Sequence, residues 1–289
     1  MVLLLLVDLD AGLAALGPLG GFFALRTGEP PHGPLPTLAQ AYARTPPGPG
    51  RPHPVDVRVR GVAEGIGTGE PRVAASVAHQ ALAARLWSAA LGCAVLYGRI
   101  PDLDARLFRW DPVGGAPEDL WLTEVRERPA DAATLADAVL YGHLEPLAAA
   151  LRARHRLATG LLRGNAASAL AGAARQLDRW ARDHGDHQAG DRARDLAARL
   201  LAHPLLAGTG TLGESAARTG RTGRTTENET GSATENETGG GTGTVTGTST
   251  GATFRRRSCC LYYRVPGGGV CGDCCFARAP RSSPRAPSG

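Results

Sequence analysis

Five of the six cysteines lie between positions 259 and 275, in the runs Arg255-Arg256-Arg257-Ser258-Cys259-Cys260-Leu261-Tyr262-Tyr263-Arg264 and Val270-Cys271-Gly272-Asp273-Cys274-Cys275. A thiolate is a soft donor, and two of them spaced as Cys271-x2-Cys274 can turn toward one metal. Gly272 relieves crowding between them and lets backbone amides approach sulfur. Ten residues that include Pro266 and Gly267-Gly268-Gly269 bring back the Cys259-Cys260 pair. Four thiolates suit either tetrahedral zinc or an iron–sulfur cluster. Zinc sites generally use two spaced knuckles, whereas one half here is an adjacent pair, which a two-iron rhomb accommodates more readily than a single small ion. Spacing alone leaves both open. The sixth cysteine, Cys93, sits in an Ala- and Leu-rich run and is read as a small core hydrophobe.

The elements that position these thiols come from a chain of 289 residues with 43% hydrophobic content, enough for one good-sized domain with an appended module. All 32 cations are Arg and are spread along the chain, and the formal charge is +5. Nucleic-acid binding is therefore not expected. Val2–Val7 is apolar but lacks a cationic leader and meets Asp8 and Asp10 at once, so it reads as a buried strand or helix start, not a signal peptide. No run reaches the roughly 20 apolar residues that span a bilayer, so a cytoplasmic location is expected and any membrane association would be peripheral only. In that reducing compartment clustered cysteines favour metal over disulfides.

The expected fold is α+β: a mostly helical body with a few short strands, a flexible linker, and a small C-terminal module. The body spans 1–207. Pro- and Gly-rich residues 28–54 read as an irregular connection, and Val55-Asp56-Val57-Arg58-Val59-Arg60 alternates like a half-buried strand. Helical spacing predicts helices from Glu70 to about Leu91, where Gly92 follows, then from Asp131 through Leu151, over 158–183, and over 189–202 before Pro204. Ala105–Trp110 and Asp119–Val125 suit strands, broken by Gly114-Gly115-Ala116-Pro117. Residues 208–252 are Gly/Thr-rich with a repeated Thr-Glu-Asn-Glu-Thr-Gly, too polar to offset the ordering entropy, and read as a disordered linker. The module spans 253–277, and 278–289 reads as a disordered tail.

The pattern Cys-Cys-x10-Cys-x2-Cys near the C-terminus resembles the FhuF-like ferric-siderophore reductases, in particular actinobacterial members. The context Cys259-Cys260-Leu261-Tyr262-Tyr263-Arg264, Pro266-Gly267-Gly268-Gly269 and Cys271-Gly272-Asp273-Cys274 carries the resemblance. The stretches Arg72–His79 and Gly164–Leu170 are similar to the same proteins. The resemblance implies a [2Fe-2S] cluster on Cys259, Cys260, Cys271 and Cys274. It also implies one-electron reduction of a ferric siderophore, of hydroxamate type, in the cytoplasm. Two features depart from the family pattern: the long linker, and Cys275 beside Cys274, which allows ligand exchange.

With a cluster present, Arg255, Arg256, Arg257 and Arg264 would offset its negative charge, tune its potential, or attract an anionic partner; a merely solvated Arg run is the plainer alternative. His79, His143 and Asn165 are polar residues in apolar surroundings, each read first as structural and second as facing a cleft. Ser168 has no base identifiable from sequence, so no catalytic residue is assigned beyond the cluster. There is neither a P-loop nor a Gly-x-Gly-x-x-Gly turn between strand and helix, so electrons are expected from an external carrier such as a ferredoxin or flavodoxin. Two other readings stay open: an electron-transfer or redox-sensing protein that does not act on siderophores, and a zinc-binding interaction protein.

Overall fold

The computed structural model describes residues 9–213, apart from 32, 47 and 49, together with residues 253–280. The expectations for Val2–Val7, for 214–252 within the linker and for the tail from 281 concern residues outside that set.

Helices build the body, as expected. They are α1 (Leu9–Ala15), α2 (Leu38–Tyr42), α3 (Pro54–Gly65), α4 (Pro71–Tyr97), α5 (Ala132–Leu135), α6 (Glu145–His155), α7 (Thr159–Asp183) and α8 (His187–Leu201), with a π-helical stretch Ala136–Leu144 between α5 and α6. Helix α4 packs against α3, α6, α7 and α8, and α8 lies on α7. Its Ala-rich sequence explains that central place: small side chains let neighbours approach on every side, and residues from Val73 to Val95 are buried almost all round. Gly92 lies inside α4, not after it. A Cβ there would stand 3.1 Å from the Phe23 ring and 3.2 Å from Leu16, so the position serves close packing. The helix ends instead at Gly98, whose φ of +66° is the left-handed stop.

Short strands flank the helices: β1 (Arg26–Thr27), β2 (Arg99–Pro101), β3 (Phe108–Trp110), β4 (Leu120–Leu122) and β5 (Glu127–Pro129). The segments expected around 105–110 and 119–125 are β3 and β4, paired antiparallel with Arg109 opposite Trp121. Strand β1 adds to β4 in parallel, and β2 pairs with β5. These extra strands are two or three residues long, too short to show a period in the sequence. Nor is 28–54 wholly irregular, since α2 begins there with Thr37 and Gln40 forming a reciprocal capping box.

The strand expected over Val55–Arg60 is helix α3. Over six residues, alternation and helical spacing share the pair Val55 and Val59, which are the side chains buried here. The decision falls to the start of the segment. Pro54 occupies the first turn, and the His53 side chain caps it by accepting from Val55 N at 3.3 Å.

Strand β6 (Gly210–Gly213) occupies the start of the expected linker and pairs antiparallel with β7 (Thr253–Arg256), Leu212 opposite Phe254. Only glycine fits at 210, because a Cβ would fall 2.3 Å from the Phe254 ring. The chain thus leaves and re-enters the body at one place, which fixes where residues 257–276 begin.

Candidate metal centre

Strand β7 buries alternate residues, so Phe254 enters the core while Arg256 points into the body with only 2% of its surface exposed. The Arg256 guanidinium donates to Gln80 Oε1 at 3.0 Å, to Leu161 O at 3.3 Å and to Asn165 Oδ1. Asn165 in turn donates to Ser76 O at 2.9 Å, and Ser76 Oγ donates to Cys260 O at 2.7 Å. Ser258 Oγ donates to Gly160 O at 2.9 Å. Gly164 makes room for this contact: a Cβ there would stand 2.3 Å from Ser258 Oγ. The Arg run therefore divides. Arg256 is a buried tether, Arg264 forms a two-pronged ion pair with Glu70 just before α4, and Arg255 and Arg257 face outward.

Between the two cysteine pairs the chain folds back tightly. Leu261 takes a left-handed φ of +69°, which turns its amide onto Cys259 Sγ at 3.2 Å. A 3-10 turn, Tyr262–Arg264, follows. Gly268 then passes so close to Tyr262 O that a Cβ would lie 2.8 Å from it. The Cys271–Cys274 turn closes through Cys274 N to Cys271 O at 3.0 Å, and Phe276 N points at Cys274 Sγ at 3.4 Å. Asp273 O accepts from Arg256 N at 2.9 Å, and the Asp273 carboxylate accepts from Ser168 Oγ at 2.6 Å and from Arg175 Nη2 at 3.2 Å. Both halves of the motif are thereby pinned to α4 and α7.

Cys260 Sγ and Cys271 Sγ are 3.5 Å apart. Two thiolates at about 2.3 Å from one tetrahedral metal stand about 3.8 Å apart, so this pair is close to the spacing of co-ligands. The hydrogen bond between them holds Cys260 below the usual thiol range, with Arg256 helping, and raises Cys271. Burial, then the neighbouring sulfurs of Cys260, Cys275 and Cys274, push Cys259 up to about 11. Such crowding opposes ionisation until positive charge is supplied, which is what a metal does. An all-sulfur donor set with two backbone amides aimed at sulfur fits an iron–sulfur group. Among the described residues, no group of three or more His, Cys, Asp or Glu side chains is arranged to hold a metal ion; of the four expected ligands, Cys260 and Cys271 are the pair brought together.

The other singled-out residues divide between core and contact. Cys93 is fully buried, and burial raises its thiol to about 12. His143 is buried between Tyr42 Oη at 2.8 Å and Leu103 O at 2.5 Å, a structural role. His79 faces a void of about 10 Å³, too small for a ligand. Asn165 is buried and links Arg256 to Ser76. Ser168 is the one that reaches a cleft, a depression of about 430 Å³ between α4, α7 and residues 19–23, whose wall also includes Asp273. The sequence did not reveal Glu70, Ser76, Gln80, Arg175 or Asp273 as partners of the cysteine loop. The one available signal was Asp273 between two cysteines, where a carboxylate beside thiolates calls for a countercharge.

Residues 256–276 match the family model described as the FhuF 2Fe-2S C-terminal domain. No curated protein matches the chain. The matched segment contains the Cys259-Cys260 and Cys271-x2-Cys274 motif together with Cys275, and it assigns a [2Fe-2S] cluster to this part of the chain.

Proposed function

We propose that this chain, which carries a FhuF-type [2Fe-2S] domain at residues 256–276, is a ferric-siderophore reductase acting in the cytoplasm, with hydroxamate chelates as substrate. The observation that supports this best is the family match over a cysteine loop docked on the body beside a cleft. Cys259, Cys260, Cys271 and Cys274 would hold the cluster, with Cys275 adjacent and free to replace Cys274 in a shifted geometry. When bound, the cluster supplies single electrons, and one electron converts Fe(III), held tightly by hard oxygen donors, into weakly held Fe(II).

The chain's own residues set the conditions. The amides of Leu261 and Phe276 donate toward Cys259 and Cys274, which favours the reduced, more negative state. Arg256 places a fixed cation behind Cys260, within the tether to α7. Arg255 and Arg257 remain outward, Arg255 donating to Cys275 O at 3.1 Å, and Tyr262, Val270 and Phe276 of the same loop are exposed. That basic and apolar rim suits an acidic one-electron donor such as a ferredoxin or flavodoxin. Among the described residues no helix is long and apolar enough to cross a membrane.

The test is steady-state release of iron from a ferric hydroxamate, with a ferredoxin and its reductase regenerating the reduced protein and a ferrous chelator as trap. Cys260→Ser should reduce the release to background. Equal release by wild type and Cys260→Ser would refute the proposal.

A further inference from the structure

The cleft between α4, α7 and residues 19–23 has a distinctive wall. Four of its polar residues form one connected set: Gln80 Nε2 meets Ser168 Oγ at 3.4 Å, and Ser168 and Arg175 both donate to the Asp273 carboxylate. Asp273 lies between Cys271 and Cys274, so this polar set abuts the cysteine loop. Leu19, Phe22 and Ala173 supply apolar wall, and Phe22 is 44% exposed, large for an aromatic side chain with nothing on it. The Arg175 side chain is 34% exposed, while its Nη1 is buried and has no partner among the described residues. The volume, about 430 Å³, falls within the range of small-molecule sites.

A ferric chelate has matching polarity, with oxygens crowded around the metal and aliphatic arms elsewhere. We propose that this cleft receives the chelate, its oxygen-bearing iron end toward Arg175 and its arms along Leu19, Phe22 and Ala173. The assignment rests on the siderophore-reductase reading and adds the site and the orientation. That orientation puts the iron at the end of the cleft nearest the cysteine loop, one residue from Cys274. Arg175 is a cationic donor that chelate oxygens can engage, and Asp273 holds it in place.

The proposal is tested by binding, without electron transfer. Gly172 lines the cleft, and the nearest atom to a Cβ placed there is Arg175 Nη2 at 3.9 Å, so a side chain at 172 has room and projects beside the polar set. The full-length holoprotein is titrated with the gallium(III) complex of a hydroxamate siderophore, a redox-inert stand-in, by calorimetry. Gly172→Trp should weaken binding by about tenfold or more while the visible cluster spectrum and far-UV dichroism stay as in wild type. Gly172→Leu, a smaller intrusion, should weaken it by about threefold and carries the test if the Trp variant does not fold. Binding as tight as wild type in a folded Gly172 variant overturns the cleft assignment and leaves the siderophore reading standing. Failure of wild type to bind gallium hydroxamate, catecholate and citrate alike overturns both.

Discussion

Replacing Arg256 by Met would test whether the cysteine loop is held on the body by one buried guanidinium. Met nearly fills the volume but offers no donor. It leaves the side-chain carbonyl of Asn165, itself fully buried, without its partner and takes one donor from Leu161 O, while Gln80 can turn toward the cleft. An unsatisfied buried acceptor costs about 1–3 kcal/mol. Leu161 O keeps its intrahelical bond, so the unsatisfied Asn165 Oδ1 sets the loss at about 1–3 kcal/mol. Because the acceptors lie on α4 and α7 and the donor on β7, the loss falls on docking more than on the body. Local opening of 253–276 should then become roughly 5- to 150-fold more frequent. Hydrogen exchange read by mass spectrometry on the holoprotein measures this directly, with peptides from α7 as internal reference. Protection of 253–276 within about threefold of wild type would refute the tether.

Serine at Cys259, Cys260 or Cys271 should remove the visible absorption and the bound iron, whereas Cys93→Ala should retain both and Cys274→Ser should retain part through Cys275; iron analysis and optical spectra decide, and cluster loss from Cys93→Ala would contradict its core role. Arg85 is 1% exposed and donates to Asp119 Oδ1 at 3.1 Å and to the carbonyls of Gly21, Phe22 and Ala24. Arg85→Met should therefore destabilise the body by about 3–5 kcal/mol in urea denaturation, and a loss below about 1 kcal/mol would contradict this. Burial lowers His79 to about 3 and His143 to about 4, so the folded state binds fewer protons than the unfolded chain below about pH 6.5. Stability should be fully present above that pH and fall as pH drops toward 4, by about 1.4 kcal/mol per pH unit for each His; an unchanged urea midpoint between pH 7 and pH 5 would contradict it.

The cysteine motif was legible because metal chemistry is specified by residue type and short spacing, and both survive in the sequence. The long helices α4, α7 and α8 were legible because many turns repeat the same apolar period. Helix α3 was misread because six residues cannot separate two periods, and its start depends on His53 and Pro54 together. Gly92 looked like a stop because a sequence shows the conformational freedom of glycine and not the ring of Phe23 pressed against it. Helix propensity at one Gly, about 1 kcal/mol below Ala, yields to packing along 27 residues. The partners of the cysteine loop were hidden for a different reason. Arg256 stands 91 positions from Asn165 and 176 from Gln80, and no local pattern distinguishes a buried Arg from the exposed ones on either side. Strand β6 was hidden in the same way, since Gly210–Gly213 is a strand only because Phe254 and its neighbours return to pair with it.

The central claim is that the reduced protein delivers its electron to siderophore-bound iron. The most direct measurement is an anaerobic single turnover: holoprotein reduced by one electron per cluster, mixed in a stopped-flow instrument with a ferric hydroxamate and a ferrous trap. The account predicts that the optical spectrum of the oxidised cluster returns in step with trapped Fe(II), one ferrous ion per electron delivered. A reduced protein that persists in excess ferric hydroxamate, catecholate and citrate, yet still exchanges electrons with a ferredoxin, would contradict it and identify an electron-transfer protein with another acceptor.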